Sequence, residues 1–599
     1  MLVSFLKERC ALLFAPLFFL IIVFTFRFES IIDDFAGANF YLLLILLILF
    51  SLSLVFLNYN RSYFSFIFLF FLFLMVCINI AFAKNVTIAV NYNVLFLIII
   101  LSSIVIIRSS EQFINLFLDA LFVYIFFLAV IGIIQFVFFK YGLKGMYLWA
   151  IPVFDSSRIT SFVGQANILA TYINIGIVLL LFKNKWFSNN FIYYLFYCIF
   201  AFVLVYTKSR AGELVFIISL LSLILLLYKG RIGGEKYKTI FIFFIIFFLF
   251  KYISISTFDF FGGGRSVFTG EEGIGVSSRI VLWLTAIILF IKNPLTGIGA
   301  GNFNTEDALV QPIVVEKLNM VYNNIRNTYW AHNDFLQFSS EYGILFLLIF
   351  LLICYKLYKN YDSSKLKYYL IILVIFLSSC FSWQLHYIPL LIIFAMVLVY
   401  LLISDNDNKM YCSVIPNVLV SVFLIIALFF VVKNYLYDVE YSNELHLVEK
   451  FGVTENFIED IDDVKNKNDF IYSYANEDFV YWATYNKNKK LAIMLSDNVN
   501  DAIEFNKSFL TMYSKAWNMI YSTDNFLSDY DDIVDRIKKG IDLKPDYEKS
   551  WTLLHYANMK KASEVTGRPF ESFLPSEEDK KNLLDKMQKN ITKGMEPSK

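Results

Sequence analysis

The chain has 599 residues, 58% hydrophobic, 19% aromatic and 17% charged, with a formal net charge of +1. A water-soluble domain cannot hide that much apolar surface, and a mean hydropathy of +0.62 calls for a polytopic membrane protein. The 67 Phe suit lipid contact, and with no basic domain beside them they exclude nucleic acid as a partner.

A membrane-spanning helix needs roughly 17–25 mostly apolar residues. Thirteen candidates meet that length, centred near residues 18, 48, 73, 100, 126, 174, 198, 220, 247, 351, 376, 395 and 424. The first follows Lys7 and Arg9 and has no small-residue cleavage site after it, so it is read as retained. The stretch from Lys367 to Ser404 is too long for one crossing and breaks at Ser382–His386, giving two. Short loops rich in Lys and Arg favour the cytoplasm. Lys183/Lys185, Lys229/Arg231 and Lys356/Lys359 then lie inside, and the acidic turn Glu29/Asp33/Asp34 outside.

Four regions follow. Residues 1–255 form an N-terminal membrane region, 256–342 a large outer loop, 343–433 four further spans, and 434–599 a water-exposed domain. The loop begins FGGGRSVFTGEEGIG, whose glycines argue for irregular, mobile backbone near Gly262–Gly264. Within it, Ile280–Ile291 is only about 18 Å of helix at 1.5 Å per residue, which suits a helix lying in or dipping into the interface. From Asn434 onward 30 acidic residues face 22 basic ones, a net −8, and Ile533, Ile537 and Ile541 recur at helical spacing. Ile541–Ala557 resembles the join of two tetratricopeptide helices, with Pro545 opening the second; an ordinary helical hairpin fits as well.

The chain has six Cys, whose spacing matches no metal site, and no Walker lysine motif, so neither a metal nor another cofactor is expected. GIGAG (Gly297–Gly301) lacks the strand–turn–helix setting of a dinucleotide loop. His386, His446 and His555 stand isolated and form no metal cluster.

The chemistry concentrates in arginines and one histidine. Twelve arginines occur in the chain, and Arg158, Arg210, Arg265, Arg279 and Arg326 all map to the outer side. The guanidinium presents a fixed fork of donors suited to phosphate oxygens, so several converging would bind a diphosphate. Each could instead pair with Asp155, Glu213 or Glu271. His332 opens HNDFLQFSSEYG at the end of the outer loop, where an imidazole can take a hydroxyl proton; its alternative is an inert cap on the next span. Glu341, nine residues on, would sit on the opposite face of a continuous helix, about 13.5 Å along its axis. A structural or arginine-pairing role is expected for it, and Asn333 and Gln337 are placed to orient a substrate.

These segments together resemble the O-antigen ligase and polymerase superfamily. The likeness is carried by RITSFVGQAN, SRAGE, SSRIVLW, NPLTGIGAGNF and HNDFLQFSSEYG, in that order. Ala166 stands where that family usually has Pro, and Ala211 precedes Gly212 in the second motif. With its helical tail, the chain is similar to bacterial protein O-oligosaccharyltransferases of the PglL type. The resemblance implies an all-α, GT-C-like fold in the inner membrane, a periplasmic site and a periplasmic C-terminal domain. It implies a metal-independent glycosyltransferase that moves an oligosaccharide from undecaprenyl diphosphate to a protein Ser or Thr. An O-antigen ligase or polymerase would use the same donor on lipid A core or on a growing glycan. By motif, Arg210 and Arg279 would clamp the diphosphate and His332 would activate the acceptor hydroxyl. Arg158, Asn167 and Arg265 would line the donor site.

Overall fold

The computed structural model describes residues 37–57, 66–109, 113–141, 147–148, 151–152, 158–182, 190–228, 236–259, 276–318, 320, 330–402, 415–451, 509–522, 525–544 and 548–567. Their regular structure is helical apart from one two-residue antiparallel pairing, in which Tyr147 faces Pro152 and Leu148 faces Ile151. The first group of helices is α1 (Gly37–Leu57), α2 (Phe66–Ala81), α3 (Val86–Ser109), α4 (Phe113–Lys140), α5 (Ala166–Phe182), α6 (Asn190–Tyr206), α7 (Arg210–Tyr228) and α8 (Lys236–Asp259). The segment between the two groups of apolar helices contributes α9 (Val276–Lys292), α10 (Phe303–Lys317) and α11 (Asp334–Tyr342). Then come α12 (Ile344–Lys359), α13 (Leu366–Ser379), α14 (Ile388–Leu402) and α15 (Ile415–Phe451), and in the tail α16 (Phe509–Ser522), α17 (Phe526–Leu543) and α18 (Glu548–Thr566).

Segments Val86–Arg108, Phe113–Lys140 and Pro416–Leu436 are long and apolar enough to cross a bilayer, and α12 with α13 would make a fourth as a pair bent by 115°. Helices α5, α6 and α14 are apolar but shorter. Twelve of the thirteen expected centres fall inside helices; the one near residue 18 lies outside the described residues. The polar run after Lys359 ends α12, and Asp362 caps the following turn by accepting the Ser364 N–H at 2.8 Å.

Helix α5 is apolar all round and buried along nearly its whole length, as a helix at the centre of a bundle must be. It packs against α4, α6, α7 and α13. The outward rings are apolar too: Phe71, Phe191 and Phe429 are 62%, 73% and 73% exposed, a surface matched to hydrocarbon rather than water.

The described residues between α8 and α12 carry a core of their own. Val281, Leu282, Ala286 and Leu289 of α9 form a separate core with Phe303, Val310 and Val314 of α10. Ile280, Ile287 and Ile291 are exposed on α9, so that helix is apolar on its outward face as well as on its buried one. The glycine-rich stretch near Gly262–Gly264 lies outside the described residues.

Helix α15 runs unbroken for 37 residues through position 434, so the last apolar segment and the start of the tail are one rod. Farther on, Ile533, Ile537 and Ile541 face a small core with Ala516, Ile520 and Leu553. Pro545 lies outside the described residues. Helix α17 rests against α10, so this part of the tail packs on the segment between α8 and α12.

Candidate functional site

The arginine element at 158–167 and the segment opening α7 are built as one unit. Arg158 Nε donates to the Thr207 carbonyl at 3.0 Å, and the Ile159 N–H donates to the Tyr206 carbonyl at 3.1 Å. Ser209 caps α7: its hydroxyl accepts the Gly212 N–H at 3.0 Å and donates to Asn167 Oδ1 at 2.8 Å. A side chain at Gly212 would meet Ala170 Cβ at 2.4 Å, so glycine is what lets α7 lie against α5 here. Arg158 and Asn167 therefore brace the start of α7, and Arg210 is its exposed first residue.

Two arginines are near enough to repel one another here. Arg279 is in the first turn of α9, and the charge of Arg210 adds to burial in lowering its pKa. The Arg279 Nε is buried without a hydrogen-bond partner among the described residues. Glu213, the nearest carboxylate in sequence to Arg210, is paired with Lys251 of α8 at 2.5 Å. Neither Arg210 nor Arg279 has an ion pair among the described residues, and each opens a helix whose N-terminal dipole also favours an anion. Arg265 and Arg326 lie outside the described residues.

His332 sits beside this pair. It is 9% exposed, and its Nδ1 is buried without a partner among the described residues. Burial, and then the charge of Arg279, lower its pKa to about 3, so the imidazole is held neutral. Trp283, one helical turn after Arg279, donates to the His332 carbonyl at 3.4 Å. His332 has a φ of 52°, in the left-handed region. The other two left-handed residues that are not glycine among those described are Ser161 (φ 55°) and Lys208 (φ 51°). Backbone strain thus falls in the same three segments that carry Arg158, Arg210 and His332, a distribution typical of functional sites.

Helix α11 begins after His332, so His332 and Glu341 do not share one helix. Asn333 caps it, accepting the Leu336 N–H and donating to the Cys380 carbonyl at 3.0 Å. Gln337 accepts the Ala331 N–H at 2.9 Å and donates to Glu341 at 3.0 Å. The polar groups of Asn333 and Gln337 are thus engaged by the protein itself. Glu341 is buried, which raises its pKa against the pull of His386 and of N–H donors at Gly301 and Phe303. It binds the far side of the helix to the GIGAG turn.

That turn is a cradle. The Ile298 and Gly299 N–H groups donate to the Ser340 and Glu341 carbonyls at 2.9 and 3.0 Å. A side chain at Gly297 would meet the Glu341 carbonyl oxygen at 2.2 Å, and its φ of 72° already favours glycine. Asn79 donates to the Glu341 carbonyl and accepts from the Ala300 N–H, both at 2.9 Å. Asn93 in turn donates to Asn79 at 2.8 Å.

Sequence reasoning set His386 aside as isolated and gave Asp334 no part. Their side chains meet, His386 Nδ1 lying 2.7 Å from Asp334 Oδ1, and both are buried. No alternating or helical pattern links residues 52 positions apart, so nothing in the linear order signalled the pair. Among the described residues, no group of three or more His, Cys, Asp or Glu is placed to hold a metal.

Residues 195–351 match the family model described as O-antigen ligase, which supports a place in that superfamily and the membrane-embedded glycan transfer that goes with it. The match takes in Arg210, Arg279 and His332 and leaves out Arg158, Asn167 and His386. No curated protein and no solved structure matches the chain.

Proposed function

We propose that this protein transfers a preassembled glycan from undecaprenyl diphosphate to Ser or Thr hydroxyls of periplasmic proteins, pilin-like proteins among them, acting as an inner-membrane oligosaccharyltransferase. The observation that carries the reading is the electrostatic coupling of Arg279 to Arg210 and to His332: two cations with no ion pair among the described residues, beside a neutral imidazole. The arginines would hold the diphosphate and stabilise the charge that grows on it as the anomeric C–O bond breaks. The acceptor oxygen would attack the anomeric carbon and its proton would pass to His332. Bound diphosphate would offset the positive field of Arg279, raising the basicity of an imidazole that is otherwise a weak proton acceptor. Undecaprenyl diphosphate leaves, and no metal has a step in this scheme. Arg158 and Asn167 would act through the start of α7, and Arg265 would join the donor side.

The tail supports a protein acceptor. Its helix α17 lies against α10, whose core continues into α11, the helix that follows His332, so a polypeptide held by the tail would be near the site. A second reading is favoured by the description of the matched family: an O-antigen ligase or polymerase, acting on lipid A core or a growing glycan.

Mass spectrometry of periplasmic proteins separates the two, comparing cells that make the intact chain with cells that make His332→Ala. Glycan mass on Ser or Thr peptides only with the intact chain is expected. No protein-linked glycan, with an altered lipopolysaccharide ladder instead, would move the assignment to the ligase or polymerase.

A further inference from the structure

The loop carrying His332 is clamped to the turn between α13 and α14. Trp330 stacks on Trp383 with ring centroids 5.6 Å apart. Asn333 donates to the Cys380 carbonyl at 3.0 Å, and Asp334 Oδ2 accepts the Leu385 N–H at 2.7 Å. Asp334 Oδ1 meets His386 Nδ1 at 2.7 Å, with the two side chains 0% and 3% exposed. The His386 ring is itself fixed between Trp330, at 4.4 Å, and Phe338, at 4.8 Å.

Stability alone does not explain this pair. Taking a carboxylate and an imidazole out of water is costly, and well-packed apolar residues commonly serve as well or better. What such a pair supplies is orientation, since both side chains must adopt one geometry to satisfy each other. Asp334 is separated from His332 by Asn333 alone, and the left-handed backbone of His332 is strained and would relax if released.

We propose that Asp334 and His386 form a positioning dyad that holds His332 in its left-handed, arginine-facing conformation without touching the reacting atoms. The dyad's part in catalysis rests on the reading of His332 as the reacting group. Its part in holding His332 does not. Position 386 also lies beyond the matched residues 195–351, so the dyad is argued from this chain's own geometry.

The test uses the full-length protein in lipid vesicles and two readouts. Diethyl pyrocarbonate modifies accessible neutral imidazoles, and its rate at His332 is followed by peptide mass spectrometry. Asp334→Ala, and His386→Phe, which keeps a ring between Trp330 and Phe338, are expected to raise that rate about tenfold by freeing the loop to open. His386→Asn, which keeps an N–H for Asp334, is expected to stay within about twofold of the intact protein. In transfer assays the first two variants are expected to lower kcat about tenfold while the donor KM moves less than about twofold, because both arginines are untouched. Unchanged labelling of His332 in His386→Phe would overturn the dyad whatever the transfer activity. Raised labelling in a protein that transfers no glycan would uphold the dyad and remove the functional reading instead.

Discussion

The His332 side of the site and the Arg210 side are held in opposite ways. His332 is buried, and the helix that follows it is tied at the start to the turn after α13 and at the end to the GIGAG cradle and Asn79. Arg210 is exposed, on a helix start whose capping is complete without it. A group that must meet a hydroxyl at one angle gains from preorganisation, whereas a group that binds a mobile lipid diphosphate must be reachable. On the proposed reading, the half assigned to proton transfer is built in advance and the half assigned to the donor is presented.

Variants can break that comparison in order of expected effect. Replacing His332 with Ala should lower transfer by about 10²-fold or more, the range of a lost general base, with the donor KM little changed. Arg279→Ala should cost about 10²–10³-fold in kcat, as the loss of one preorganised charge-stabilising donor does. Arg279→Lys should recover only part of this, because an ammonium lacks the planar fork. Both are measured with purified protein and a lipid-linked donor.

Gly297→Ala attacks the cradle rather than the chemistry. A new Cβ would collide with the Glu341 carbonyl at a backbone angle that already favours glycine, at an expected cost of about 1–3 kcal/mol in stability. A lowered thermal midpoint in detergent, with His332 more readily modified, is the outcome to look for.

Acid sharpens the contrast from another side. A free imidazole titrates near 6.5, but buried His332 does so only at about 3. Between those values the unfolded chain binds a proton that the folded chain refuses. The residue's contribution to stability is therefore complete above pH 6.5 and falls as the pH drops toward 3. His332→Gln should lose less thermal stability than the intact protein between pH 6.5 and 4, which unfolding scans would detect. The smallest effect belongs to Lys251→Met. Its partly exposed pair with Glu213 contributes about 0–1 kcal/mol, and transfer should stay within about threefold.

Much of this was visible in the linear chain. The apolar runs mark the helices, and the break at Ser382–His386 does separate α13 from α14. The segments that carry Arg210, Arg279 and His332 stood out by residue type and setting. What the chain could not display were contacts between distant positions. Asn79 and Glu341 are 262 residues apart, and an asparagine inside an apolar helix gives no sign of which carbonyl it will reach. The GIGAG run looked like a failed nucleotide loop because its work, letting the α11 backbone come close, is done against a helix that starts 33 residues after Gly301. His386 was passed over as isolated because its partner, Asp334, lies 52 positions away and had been given no part.

The most direct test of the central claim is transfer by purified protein in vesicles supplied with an undecaprenyl-diphosphate glycan and a Ser/Thr-bearing acceptor protein. The intact chain should form glycoprotein, and His332→Ala and Arg279→Ala should each lose about 10²-fold at unchanged folding. Equal product from all three proteins would contradict the account, because the arginines and the histidine would then meet without taking part in the reaction.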